Sequence, residues 1–140
     1  MSSAEPTPGH LVWRLAMKWR TAVDRALDPL GLTHAQYVVL SSLVALDRPS
    51  QRELAEWAGL EPLYVSKLAR SLEAAGFITR VRDSVDTRTM RLALSPRGLE
   101  VVEPAITTVR AVMDRLLTPL GDRTSAFSAE VLALLAVPLD

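Results

Sequence analysis

Between Ser50 and Leu94 the spacing of apolar residues changes period, and the changes divide the segment into two helices and a hairpin. Leu54, Ala55 and Ala58 share one face of a short helix. Ser50 and Glu53 form a Ser-x-x-Glu box at its start, in which the serine oxygen accepts the N3 amide and the glutamate reaches back to the cap amide. Gly59 breaks this helix after about two turns, the spacing of a helix-turn-helix linker. Val65, Leu68, Ala69 and Leu72 then recur at i, i+3, i+4 and i+7, which predicts a second helix from Pro62 to about Ala75 with one buried stripe. Its opposite face carries Tyr64, Ser66, Lys67, Arg70 and Ser71. Pro62 suits a first helical turn and Gly76 a position just past the last one. Phe77 to Arg82 reads as a strand, and Met90 to Leu94 as its partner, with Met90, Leu92 and Leu94 on one side and Arg91 on the other. Two short helices and a hairpin with Asp86-Thr87-Arg88 at its tip make a winged helix-turn-helix.

The flanks are helical. Leu11 to Leu27 places Leu11, Trp13, Leu15, Ala16, Trp19, Ala22, Val23, Ala26 and Leu27 on a broad stripe, with Arg14, Lys18, Arg20, Asp24 and Arg25 elsewhere. Thr33-x-x-Gln36 is another capping box and opens a helix to about Leu46. Ser95 caps and Pro96 opens a long helix through about Leu117, with Pro104 inside it predicting a kink near residues 100 to 104. A last helix, about Arg123 to Val137, offers Phe127, Val131, Leu132, Leu134 and Leu135. The expected fold is therefore mainly α with a small β-hairpin wing, in three parts: 1–32, the winged helix-turn-helix at 33–98, and 99–140.

Taken alone, the polar face of the second helix could be an ordinary solvated one, and the charge distribution shifts the balance. Residues 62 to 98 hold seven basic side chains (Lys67, Arg70, Arg80, Arg82, Arg88, Arg91, Arg97) against three acidic ones (Glu73, Asp83, Asp86), a net of +4 in a chain whose total is zero. A neutral protein with its positive charge gathered on one helix and one hairpin has the electrostatic footprint of a nucleic-acid binder. A winged helix also serves as a protein-contact module, but such a docking surface needs an apolar centre, and this face is cationic. There is no Gly-rich phosphate loop, no cysteine nucleophile and no Ser/His/Asp set in a recognisable local motif, so an enzyme is not expected. The absence of cysteine also excludes a disulfide framework and a thiol redox switch. Two histidines without clustered carboxylates or cysteines point to no metal site, and no cofactor is implied. No run approaches the roughly 18 apolar residues of a membrane span and the start lacks a signal-peptide pattern, so the expected compartment is the cytoplasm.

The chain resembles the multiple-antibiotic-resistance regulator (MarR) family of bacterial transcription factors over nearly all of its length. The matching residues are Leu32-Thr33-His34-Ala35-Gln36-Tyr37-Val38-Val39-Leu40, Glu53-Leu54-Ala55, Val65-Ser66-Lys67-Leu68 and Leu72-Glu73-Ala74-Ala75-Gly76-Phe77-Ile78. The wing is the most specific part, with Arg80, Asp86-x-Arg88, Leu92-Ala93-Leu94-Ser95 and Gly98 in the family's order and spacing.

The resemblance implies a homodimer in which the first helix and the last two interlock with a second subunit, so that 1–32 and 99–140 are dimerisation segments. It further implies a repressor of double-stranded DNA operators arranged as inverted repeats. The DNA-binding residues would be Leu63, Tyr64, Ser66, Lys67 and Arg70 on the recognition helix and Arg82, Asp86 and Arg88 on the wing, with Arg88 in the minor groove and Asp86 orienting an arginine of the hairpin. An aspartate also favours a hairpin turn on its own account. Pro62, Leu63 and Tyr64 are less polar than the Ser/Thr-rich start often found here in the family, so either Leu63 or Tyr64 could meet a thymine methyl instead of making a hydrogen bond. A small effector, aromatic in one version of this reading, would sit between the dimerisation helices and the winged domain, near Trp13, Met17, His34 and Tyr37.

Overall fold

The computed structural model describes residues 4–140. Helix α1 (Pro8–Leu27) begins earlier than its apolar stripe, because Thr7 Oγ1 accepts the His10 amide at 3.2 Å and Pro8 occupies the first turn. A 3-10 turn at Asp28–Leu30 ends on Gly31, at φ 72°, and leads into α2 (His34–Ala45). Both halves of the Thr33/Gln36 box form, at 3.1 and 3.0 Å.

The box at α3 (Gln51–Ala58) forms only by half. Ser50 Oγ accepts the Glu53 amide at 3.0 Å, but the Glu53 carboxylate meets Arg91 Nη1 at 3.4 Å rather than the cap amide. A charged partner from the hairpin outcompetes a backbone N–H for the carboxylate. Gly59, at φ 71°, ends α3, and α4 (Pro62–Ala74) follows.

Phe77, expected in the strand, lies just before it. Its amide donates to Leu72 O at 2.9 Å across Gly76, at φ 83°, and this Schellman closure of α4 delays the hairpin by one residue. Strands β1 (Ile78–Arg82) and β2 (Met90–Leu94) pair antiparallel from Ile78 with Leu94 to Arg82 with Met90. The Leu92 amide donates to Pro49 O at 2.9 Å, and Ser50 bridges to Arg91, so the chain entering α3 is laid along β2. Ser95 caps α5 (Pro96–Leu117), which passes through Pro104 as one helix. A 3-10 segment, Thr118–Arg123, leads to α6 (Thr124–Leu135).

The core lies where α1, α2, α5 and the winged helix-turn-helix meet. Val23, Leu27, Val39, Leu40, Leu54, Val65, Leu72 and Leu92 are all at 0% exposure. Gly98 sets how closely α5 joins this core, since a Cβ there would lie 2.0 Å from Phe77 O. Ser95 fastens the same junction, with its amide donating to Phe77 O at 3.0 Å and its hydroxyl to Gly76 O at 2.6 Å. Two regions lie outside the core. The first half of α1 exposes Leu11, Val12, Trp13 and Leu15, and α6 buries no residue and exposes Leu132, Leu134 and Leu135.

Candidate nucleic-acid interface

The orientation of α4 is set by its buried stripe of Val65, Leu68, Ala69 and Leu72. Helical geometry then places Leu63, Lys67 and Arg70, at i, i+4 and i+7, on an outward ridge opposite that stripe. Leu63 is 79% exposed and Tyr64 43%. Ser66 sits lower on the flank, half-buried, where its hydroxyl faces Arg70 Nη2 at 3.4 Å. Glu61, at the cap position, makes no side-chain capping bond.

The base of the hairpin packs into the core through Ile78 and Leu92, and the wing tip beyond it is held by polar bonds. Asp83 is its organiser, accepting from the Asp86 amide at 2.9 Å, the Val85 amide at 3.3 Å and Arg91 Nε at 3.0 Å. The Asp86 amide, and after it Arg91, hold the Asp83 carboxyl below the usual carboxylate range. Asp86 does both things expected of it. It builds the turn, accepting from the Arg88 amide and Thr89 Oγ1 at 3.1 Å each, and it pairs with Arg88 Nε at 3.5 Å. The Arg88 side chain is still 92% exposed. Arg82 braces the tip through Nη1, which donates to Thr87 O at 2.7 Å.

Arg91 ties the wing to the rest of the molecule. Beyond Asp83, its Nη1 donates to Arg48 O at 2.9 Å and meets Glu53 of α3 at 3.4 Å. Arg48, at φ 46°, is the one non-glycine residue with positive φ among the described residues, and this turn aims its carbonyl at Arg91.

The seven cations therefore separate into two groups. Arg80 pairs with Glu73 at 3.1 Å, Arg91 with Asp83 and Glu53, and Arg97 lies 5.3 Å from the Phe77 ring centroid. Lys67, Arg70, Arg82 and Arg88 project from the ridge and the wing. None of these four except Arg88 joins an ion pair among the described residues. Sequence reasoning named the projecting group, but not Asp83, Arg91, Glu53 and Arg48, which hold the wing in place. The one available signal was the isolated charge of Arg91 within an alternating apolar strand.

The four candidate effector residues are spread along α1 and α2. Trp13 is 62% exposed, and Met17, His34 and Tyr37 are half-buried. The His34 amide donates to Asp24 Oδ1 at 2.7 Å, and the ring meets Trp19 edge-on, with centroids 6.2 Å apart. Burial lowers the His34 pKa against the opposing pull of Asp24, and burial raises that of the Tyr37 phenol. A recess of about 660 Å³ between α1 and α5 has Trp19 and Leu116 in its wall and Lys18, Arg25 and Arg115 among its polar groups. None of the four candidates lines it, and Trp19 links it to His34. No group of His, Cys, Asp and Glu able to hold a metal occurs among the described residues, and no helix there is long and apolar enough to cross a membrane.

The model of the MarR family matches residues 32–90, from just before α2 to the start of β2. The HTH-type transcriptional repressor Rv2887 of Mycobacterium tuberculosis is 34% identical over 121 residues, 86% of this chain and 87% of that one. This chain belongs to the MarR family. It is a DNA-binding transcriptional regulator rather than an enzyme. Among solved MarR-like structures, CouR from Rhodococcus jostii RHA1, bound to p-coumaroyl-CoA, superposes with a TM-score of 0.82 at 28% identity, covering 94% of this chain and 93% of that one. The MepR–DNA complex of S. aureus gives a TM-score of 0.83 at 25% identity, covering 94% of this chain and 98% of that one.

Proposed function

We propose that this MarR-family chain is a cytoplasmic repressor that binds an inverted-repeat operator as a homodimer and is released by a small effector. The observation that carries the DNA contacts is the division of the cations. Arg80, Arg91 and Arg97 each contact a different element of the chain, while Lys67 and Arg70 on α4 and Arg82 and Arg88 on the wing are exposed and bond, where they bond at all, only within their own helix or the wing tip. The α4 ridge of Leu63, Lys67 and Arg70, flanked by Tyr64 and Ser66, enters the major groove. Arg88 enters the adjoining minor groove, held by Asp86. Likeness to a MepR–DNA complex and to a relative named as a repressor supports this reading.

The exposed apolar residues of α1 and α6 supply the surface for a second subunit. A twofold dimer presents two recognition helices, so the half-sites stand about one helical turn, 10 to 10.5 bp, apart. Likeness to a CouR complex with bound p-coumaroyl-CoA supports an effector site bordered by α1 and α2, where Trp13, Trp19, His34 and Tyr37 offer aromatic surface and Met17 a thioether. An effector that prefers the spacing of recognition helices unable to bind DNA would release the operator by its differential affinity.

Fluorescence anisotropy on the chain's own upstream DNA and on scrambled DNA, at several salt concentrations, tests the proposal. Selective binding with a steep negative salt slope is expected. Arg88→Glu should abolish it and leave the dimer intact by light scattering. Absence of binding even at low salt would instead favour a winged helix used for protein contact.

A further inference from the structure

The leading end of the recognition helix presents an apolar side chain that the chain itself does not use. Leu63 is the most exposed large hydrophobic residue of α4, at 79%, and stands opposite the buried stripe, so it adds little to the packing that holds the helix. On the same ridge, one turn on, is Lys67, and two turns on is Arg70. A protein partner that covered Leu63 would have to bury both cations beside it, whereas a DNA groove offers phosphates to the cations and one kind of apolar group, the C5-methyl of thymine.

The polar alternatives at this end of the helix are few. Ser66 is half-buried and turned toward Arg70, and Tyr64 lies off the ridge at 43% exposure. Glu61 is exposed and makes no capping bond, and its carboxylate can only accept hydrogen bonds, so it offers nothing to the O4 acceptor of thymine. We infer that Leu63 is a specificity-determining residue that selects thymine at one position of each half-site by covering its methyl group. The inference rests on the DNA-binding reading above and names the base and atom that α4 reads first.

Uracil substitution isolates that atom, because deoxyuridine keeps every hydrogen-bonding group of thymidine and lacks only the methyl. The full-length protein would first select its operator from random-sequence duplexes, and each thymine of the selected site would then be replaced in turn by uracil. At one symmetry-related pair of positions, uracil should weaken wild-type binding about fourfold per half-site, the worth of one buried methyl group. Leu63→Ala, at an exposed site and with an unchanged thermal midpoint, should bind the thymine operator more weakly and no longer distinguish thymine from uracil at that pair. Selective binding in which no uracil position loses its effect in Leu63→Ala would overturn the inference and leave the DNA-binding reading standing. Failure to select any operator would overturn both.

Discussion

The recognition helix and the wing face the same kind of partner but are held by opposite physics. Helix α4 is fixed by Val65, Ala69 and Leu72 at 0% exposure, a non-directional apolar contact that salt does not screen. The wing is rooted in the core by Ile78 and Leu92, but its tip is fixed by Asp83, Asp86, Arg82 and Arg91, whose hydrogen bonds and ion pairs are directional and partly open to solvent. The difference teaches that global stability and wing geometry are separable in this fold. Losing the anchor of α4 unfolds the domain, while losing the anchor of the wing leaves a folded domain with an unsteady hairpin.

Leu72→Ala would break the first anchor and should have the largest effect. Removing a fully buried leucine from this core costs about 3 kcal/mol, a loss read directly in denaturant melts. Near-normal stability would mean that α4 is not held by its stripe. Arg91→Gln would break the second anchor. It removes the pairs to Asp83 and Glu53, and with them the tie to α3. Amide exchange from Val85 to Thr89 should rise while the melting midpoint moves little. Operator affinity should fall on the order of tenfold, because the hairpin must then be ordered on binding. Unchanged exchange at the wing tip would show that Asp83 and Asp86 suffice without the tether.

The same division explains what the sequence disclosed. The stripe of α4, the caps at Thr33, Ser50 and Ser95, and the turn at Gly59 were legible because each depends on residues within about four positions of one another. So was the projecting set Lys67, Arg70 and Arg88, since a helix stripe fixes its opposite face and a hairpin tip has nowhere else to point. What was not legible depends on contacts across the chain. Glu53 looked like half of a capping box until Arg91, 38 residues away, took its carboxylate, and the Arg48 carbonyl reaches the same guanidinium across 43 residues. Thr7 and Pro8 were a local signal that went unread because the apolar stripe of α1 starts only at Leu11.

At His34 both kinds of force act on one side chain, and its pH response ranks them. Burial depresses its pKa, Asp24 pulls it upward, and Arg20 adds a smaller push downward, with burial the largest. A histidine whose folded pKa lies below its unfolded value binds fewer protons when folded, so the chain gains stability as pH rises. That contribution is complete above the unfolded value of about 6.5 and is lost as pH falls through the folded pKa. Melting midpoints taken from pH 8 to pH 5 should therefore fall toward acid, and the difference between wild type and His34→Gln isolates this residue from His10. The effect should be the smallest of the three, since the ring is only half-buried. A difference curve that rises toward acid would mean that Asp24 outweighs burial, and the α1–α2 junction would then be held, like the wing, by charge.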